Sequence, residues 1–237
     1  MRRSLKWGLV LLAVVIPISA EAAQYGDFLY ETNDVGITIT GYKYPPSSVQ
    51  VSIPNAVDGL PVTEVADSAF ASRSDLKEII IPNSVTHLGD YAFYCTSLTN
   101  IAIPDRVIRI GNHAFRRCSQ LTNFTIPSSV TQLGDMAFAE CTGLTSITIP
   151  GGVTNIGADA FGGCSGFTNV TILSGVMNIG EGAFRHCTSL KSVELVGGVT
   201  TIGYNAFSGC SQLPLPTSGV QRSPVRSSVA LWSFQKG

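Results

Sequence analysis

Leu98-Thr99-Asn100-Ile101-Ala102-Ile103-Pro104-Asp105-Arg106-Val107-Ile108-Arg109-Ile110-Gly111-Asn112-His113-Ala114-Phe115-Arg116-Arg117-Cys118 is the stretch that decides how this chain folds, because its pattern recurs along most of the sequence. Its first part ends in alternating apolar and polar residues, the period of two that marks a half-buried strand. Pro104 closes that strand, since proline has no N–H to give to a ladder. In the next copy Val130-Thr-Gln-Leu133 is a second short β-prone piece leading to Gly134, where a turn meets no Cβ clash. Asp135-Met-Ala-Phe138 then reads as one helical or 3₁₀ turn. Asp135 stands where it would cap the free amides of that turn, with Asp67 and Asp90 in the equivalent slot.

Several ladders run through the sequence in step. Phe70, Phe93, Phe115, Phe138, Phe161, Phe184 and Phe207 are each preceded by Ala. Val62, Val85, Val107, Val130, Val153, Val176 and Val199 form a second ladder, and Gly89, Gly111, Gly134, Gly157, Gly180 and Gly203 a third. Leu76, Leu98, Leu121, Leu144, Phe167, Leu190 and Leu213 are a fourth, and the cysteines Cys95, Cys118, Cys141, Cys164, Cys187 and Cys210 stand 23 residues apart. Seven copies of 22–23 residues in register predict a solenoid. It is mainly β, with short stacked parallel strands and short 3₁₀ or helical turns. One coil cannot bury its own Leu, Ile, Val and Phe, so stability comes from stacking on neighbours. At about 4.8 Å per rung, seven coils make a stack roughly 34 Å long.

Around this array the chain divides into four parts. Residues 1–23 carry Arg2, Arg3 and Lys6, an apolar run from Trp7 to Ile18, and Ala20-Glu21-Ala22, the small-x-small pattern of a signal-peptidase site. The apolar run is shorter than the roughly 20 residues of a membrane-spanning helix. We therefore expect a signal peptide, export to the extracellular space, the cell surface or the periplasm, and no membrane insertion of the mature chain. No cysteine follows the run before Cys95, so a lipid anchor has no acceptor there. Residues 24–61 form an N-terminal lead-in or capping segment, 62–213 the solenoid, and 214–237 a C-terminal tail. Val229-Ala-Leu-Trp232-Ser-Phe234 in that tail either folds back as a cap or belongs to a disordered end. Without residues 1–23 the chain loses three basic residues and one acidic one, leaving a net charge of −3. So weak a charge does not steer a protein towards phosphate polymers, and no nucleic-acid partner is expected.

The consensus Leu-x-x-Ile-x-Ile-Pro-x-x-Val-Thr-x-Ile-Gly-x-x-Ala-Phe-x-x-Cys closely resembles the leucine-rich repeats of the BspA-type family of bacterial surface and secreted proteins, over roughly residues 53–213. Gly36-Ile-Thr-Ile-Thr-Gly41 and Val57-Asp-Gly-Leu-Pro-Val62 look like the segment that often precedes such arrays. The resemblance implies a right-handed, partly curved solenoid and a role in surface attachment or protein binding, with no catalytic residues to carry over. There are departures. Arg73 stands where later copies have Cys, the second copy is one residue short with Tyr94 alone between Phe93 and Cys95, and Ile172-Leu173 and Leu195-Val196 replace the Ile-Pro pair.

Candidate chemistry is sparse. Stacked cysteines in an exported protein leave disulfides open, but a strictly periodic position beside the Leu and Phe ladders is better read as a small buried slot for a reduced thiol. Paired Cys-x-x-Cys and Cys/His clusters for zinc, an Asp-rich calcium loop and a glycine-rich phosphate loop are all missing, so neither metal nor cofactor is expected. His87, His113 and His186 fall at different places in the coil and read as surface residues that assemble no catalytic pair. Asp67, Asp90, Asp135 and Glu181 share the capping slot. We expect no enzyme.

What remains is the outward side of the main strand. There Glu78, Asn100, Asn123, Ser146, Asn169 and Ser192 stack in one line, with Thr125, Thr148 and Thr171 beside them as a ribbon of small hydrogen-bonding residues. By analogy with other leucine-rich-repeat proteins this strand face is the candidate partner-binding site. The expected function is a secreted or cell-surface protein-binding or adhesion module whose partner is a host-matrix or envelope protein. The alternative is a structural envelope component that self-associates through its C-terminal coil.

Overall fold

The computed structural model describes residues 23–43 and 50–214. The chain opens with β1 (Ala23–Tyr25), β2 (Phe28–Asn33) and β3 (Gly36–Tyr42), followed by β4 (Gln50–Ser52), β5 (Ala56–Val57) and β6 (Leu60–Val65). The repeats then contribute β7 (Glu78–Ile80), β8 (His87–Leu88), β9 (Asn100–Ala102), β10 (Arg109–Ile110), β11 (Gln132–Leu133), β12 (Ser146–Ile149), β13 (Asn155–Ile156), β14 (Asn169–Ile172), β15 (Asn178–Ile179), β16 (Ser192–Leu195) and β17 (Thr201–Ile202). The described residues contain no helix. The signal-peptide expectation for residues 1–23 and the tail expectation for 214–237 lie almost entirely outside the described residues.

The strands sort into two walls of a solenoid. The front wall is β4-β7-β9 followed by a separate block β12-β14-β16, all parallel. The rear wall runs β3-β6-β8-β10-β11-β13-β15-β17, also parallel, and its first strand extends into the antiparallel meander β1-β2-β3 that covers the N-terminal end. Between the walls the chain turns at proline, where Val85 N–H donates to the Pro82 carbonyl (3.1 Å), and the same bond recurs at Pro104, Pro127 and Pro150. Leu173 makes it too, with Val176 N–H at 3.4 Å, so the turn survives loss of the proline.

The core is a set of columns running along the solenoid. The seven phenylalanines stack nearly parallel, with centroids 5.1 Å apart for Phe115–Phe138 and 5.5 Å for Phe70–Phe93. Such pairs add about 0.5–1.5 kcal/mol each beyond the burial of their area. The Leu76, Leu98, Leu121, Leu144, Phe167 and Leu190 column and the valine column are likewise buried.

The third side of each coil departs from the expected helical turn. Gly111 to Cys118 forms consecutive hydrogen-bonded turns, because two residues in each coil adopt the left-handed conformation. One column of these is Ser68, Tyr91, His113, Met136, Asp159, Gly182 and Asn205, and the other Ser72, Cys95, Arg117, Glu140, Gly163, His186 and Gly209. The left-handed residue reverses a peptide plane, so alternate N–H groups all point to the next coil. Tyr91, Phe93 and Cys95 donate to the carbonyls of Asn112, Ala114 and Arg116, each at 2.8 Å, while Tyr94 donates within its own coil to Tyr91 (3.0 Å). Straight helix would point these donors along the coil and leave the neighbour unpaired.

Three sequence expectations change in consequence. The acidic slot does not cap its own turn. Asp67 Oδ1 accepts the N–H of Asp90 (2.7 Å), Asp90 Oδ1 that of Asn112 (2.9 Å), Asn112 Oδ1 that of Asp135 (2.9 Å) and Asp135 Oδ1 that of Ala158 (2.8 Å), so the side-chain oxygens of this slot stitch each coil to the following one. The glycine ladder is not there for turning. A Cβ on Gly111 would sit 2.6 Å from the carbonyl carbon of Gly89 and 2.7 Å from Asp90 N, and one on Gly134 would meet Asn112 N and the carbonyl carbon of Gly111 in the same way, so glycine lets stacked backbones approach. Cys95 is not in the cysteine ladder. It occupies the exposed left-handed column, and Thr96 fills the buried slot beneath Cys118. The missing residue of the second copy therefore falls after Thr96, between it and Leu98.

Candidate functional site

The strand pairing brings the outward residues into file. Glu78 is in register with Asn100, Asn100 bridges to Asn123, Ser146 pairs with Asn169 and Asn169 with Ser192, while Thr148 pairs with Thr171. All are exposed except Thr171, which is half-buried. Their inward neighbours Ile79, Ile101, Phe124, Ile147 and Val170 are buried, as the alternation of a strand requires. Ser192 Oγ donates to Asn169 Oδ1 (2.7 Å), and Asn169 Nδ2 to Thr168 Oγ1 (3.0 Å).

The file extends one coil further towards the N-terminus than the repeat count suggests. Gln50 and Ser52 on β4 align with Glu78 and Ile80 and are exposed. Sequence reasoning missed them, although Val51-Ser52-Ile53-Pro54 already repeats Ile101-Ala102-Ile103-Pro104.

Nor is the ribbon continuous. At residues 123–126 the ladder lapses to the single bridge Asn100–Asn123, and Thr125 belongs to neither block. The lapse coincides with the one coil that places an aromatic ring, Phe124, in the inward strand slot. That ring packs edge-on against Phe115 and Phe138, at 5.3 and 4.6 Å. A shallow open depression of about 340 Å³ marks the spot, lined by Asn100, Ala102, Asp105, Asn123, Phe124 and Thr125. Along the ribbon the charges are Glu78 near one end and Glu194 at the other; between them it offers amides and hydroxyls.

Elsewhere the polar groups are engaged with one another. Arg116 and Arg117 share Glu140 (2.8 and 3.0 Å) and hold its carboxyl below the usual range, Arg109 meets Asp90 (2.9 Å), and Arg185 pairs with Asp159. Arg73, in the first coil's cysteine slot, donates to the Tyr42 carbonyl (3.0 Å), lies over the Tyr42 ring and pairs with Asp75, tying the first coil to the N-terminal meander. The three histidines stay apart. His113 departs from the surface expectation: it is half-buried, stacked on Tyr91, and burial depresses its pKa. All described cysteines are free, and no metal-holding cluster of His, Cys, Asp and Glu occurs among the described residues. No helix among them is long and apolar enough to cross a membrane.

Comparison with known proteins agrees with this architecture. The chain is similar to a leucine-rich-repeat protein of T. pallidum at 34% identity over 82% of this chain and 91% of that one, with a TM-score of 0.75. It is similar to a leucine rich cell surface protein of Faecalibacterium prausnitzii at 36% identity and a TM-score of 0.75, over 83% of this chain but only 54% of that one, so it spans about half that protein's length. A leucine-rich-repeat protein of Eubacterium ventriosum shares the fold at 23% identity, with a TM-score of 0.62, over 82% of this chain and 53% of that one. Curated protein sequences yield no match. The family described as the BspA type leucine rich repeat region matches six copies, over residues 42–166 and 154–217. Those spans take in most of the described chain, and with the stacked coils they establish that it belongs to the BspA type leucine-rich-repeat family.

Proposed function

We propose that this chain is an exported protein-binding module that acts by adhesion and not by catalysis, and that the outward front ribbon is its ligand face. The observation that carries the proposal is a pair of exposed in-register runs on one wall, Glu78–Asn100–Asn123 and Ser146–Asn169–Ser192, with Thr148 and Thr171 paired beside the second and Thr125 at the gap between them. A rigid backbone holds these side chains at fixed spacing, so a partner meets repeated hydrogen-bonding groups at little cost in loop ordering. The lapse at Phe124 falls in the middle of this face and gives it relief. The signal-like residues 1–23 and the similarity to a cell surface protein support export. The partner is a host-matrix or envelope protein.

The test is capture by residues 24–237 from panels of purified envelope and extracellular-matrix proteins, beside an Asn100→Arg/Asn123→Arg/Asn169→Arg variant. Saturable capture by the intact chain and its loss in the folded variant is the expected result. Equal capture by both moves the site off the ribbon. Self-association is favoured by one observation: Val193, Leu195 and Ile202 of the last coil are only half-buried, and Val196 and Tyr204 are exposed. Concentration-dependent oligomers without any captured partner establish that reading in place of the first.

A further inference from the structure

The turned side of the solenoid carries a surface unlike the ribbon. In the first left-handed column most coils place a small or polar residue, as Ser68, Asp159, Gly182 and Asn205 do. The second coil places Tyr91 there, with φ of 58°. The left-handed conformation itself belongs to the fold and recurs in every coil, but only this coil fills the position with a tyrosine. One face of Tyr91 rests on His113, with centroids 4.4 Å apart and planes inclined by 7°. Tyr94 crosses it edge-on, at 5.7 Å and 73°. On the other side the column continues to Ser68, and the residue matching Tyr94 in that coil is Ala71. The smaller Ser68, Ala71 and Ser72 belong to the coil stacked before them, where Ser68 N–H donates to the Asp90 carbonyl (2.9 Å) and Ser72 N–H to the Tyr94 carbonyl (2.6 Å), and Tyr91 is 39% exposed.

We infer that Tyr91 and Tyr94, set nearly at right angles, form an angled aromatic platform for a neutral pyranose unit of a polysaccharide, one ring stacking on its flat face and the other bounding it. The face of an aromatic ring carries negative potential, which attracts the polarised C–H groups on the flat face of a sugar ring. The charged groups beside the rings are already paired, Arg117 with Glu140 (3.0 Å) and Asp90 with Arg109 (2.9 Å), and Arg117 Nη1 also donates to the Tyr94 hydroxyl (3.2 Å), so the rim suits a neutral ligand better than an ion. The Tyr91 and Ser68 hydroxyls and the exposed Asp67 carboxylate are the kind of hydrogen-bonding partners a polyol requires. Burial lowers the His113 pKa, which favours the neutral imidazole beneath Tyr91.

The platform lies on a different side of the coil from the ribbon, and the two readings stand or fall separately. The test is saturation-transfer NMR on the purified chain with cellohexaose and chitohexaose, and with choline chloride as the cationic probe. The variants are Tyr91→Ser and Tyr94→Ala, which copy Ser68 and Ala71 in the same slots and so preserve the coil, together with Asn100→Arg on the ribbon. We expect at least one hexasaccharide to saturate, with transfer to its carbon-bound ring hydrogens. Each tyrosine variant should weaken binding at least tenfold while the chain stays folded by circular dichroism, and Asn100→Arg should leave it intact. Saturation by neither sugar, sugar binding that survives both tyrosine variants, or displacement of the sugar by choline would overturn the proposal.

Discussion

Cys118 donates its thiol hydrogen to the main-chain carbonyl of Phe93, 3.1 Å away and one coil earlier. Cys141, Cys164, Cys187 and Cys210 repeat the bond to Phe115, Phe138, Phe161 and Phe184, at 3.0 to 3.3 Å. The phenylalanine that supplies the aromatic column thus also supplies the acceptor for the thiol column. The cysteine position is more than a small apolar slot: its S–H gives a second hydrogen bond to a carbonyl that already accepts one from its own coil, as Phe138 does from Cys141 N–H (3.2 Å).

Without the Cys164 thiol the Phe138 carbonyl keeps only the bond from Cys141 N–H (3.2 Å). Cys164→Ala is expected to destabilise the chain by about 1–2 kcal/mol, from the small cavity and the lost second bond at Phe138. Cys95→Ala should be near neutral. Urea unfolding followed by circular dichroism compares them, and equal losses in the two variants would contradict the ladder assignment.

Burial also sets how these thiols respond to pH. It pushes the Cys164 thiol up to about 12 from an ordinary value of 9.0, and raises Cys141 as well. Below pH 9 a thiol is protonated in both folded and unfolded chains, and its contribution is fully present. As pH rises from 9 towards 12 the unfolded thiol ionises and the folded one does not, so stability falls by up to roughly 1.4 kcal/mol per pH unit for each such group. Urea midpoints measured under reductant should decline across this window and not below it. At pH 8 a maleimide should label Cys95 in the native chain, and the buried thiols only once denaturant is added.

Close approach of stacked backbones makes the glycine column intolerant. Gly111→Ala puts a methyl group 2.6 Å from the Gly89 carbonyl carbon, which is main chain and has no rotamer to escape into. A loss of about 1–3 kcal/mol or more is expected, read as a fall in thermal midpoint. An unchanged midpoint would show that the coils can part at this column without cost.

The left-handed columns separate conformational strain from crowding. At Gly163, with φ of 74°, an added Cβ comes no nearer than 3.4 Å to a neighbour, so Gly163→Ala should lose only the left-handed penalty, about 1–2 kcal/mol. Ser72, with φ of 60° in the same column, is exposed, and Ser72→Gly should gain up to about 1 kcal/mol. Opposite signs in these two variants, measured by urea unfolding, are the expected outcome.

The repeat fold was legible because stacking demands like residues at like intervals, and the Phe, Leu, Val and Gly ladders display those intervals directly. The ribbon residues from Glu78 to Ser192 were legible for the same reason: a strand alternates, so naming the inward Ile101 also names the outward Asn100. Even Gln50 and Ser52 were within reach through Val51-Ser52-Ile53-Pro54. Other features depended on which atoms meet across coils, and spacing within a coil does not contain that. The single deletion in the second copy left Cys95 in step with the other cysteines by count. The backbone instead needs a left-handed residue two places after Phe93 to send its N–H to Arg116, so Cys95 took that place and Thr96 the buried one. Asp90 sits one residue before a turn, as a cap would, yet the nearest unpaired N–H belongs to Asn112 in the next coil. The break at Phe124 follows from ring packing against Phe115 and Phe138, a three-body fit that tertiary structure alone decides.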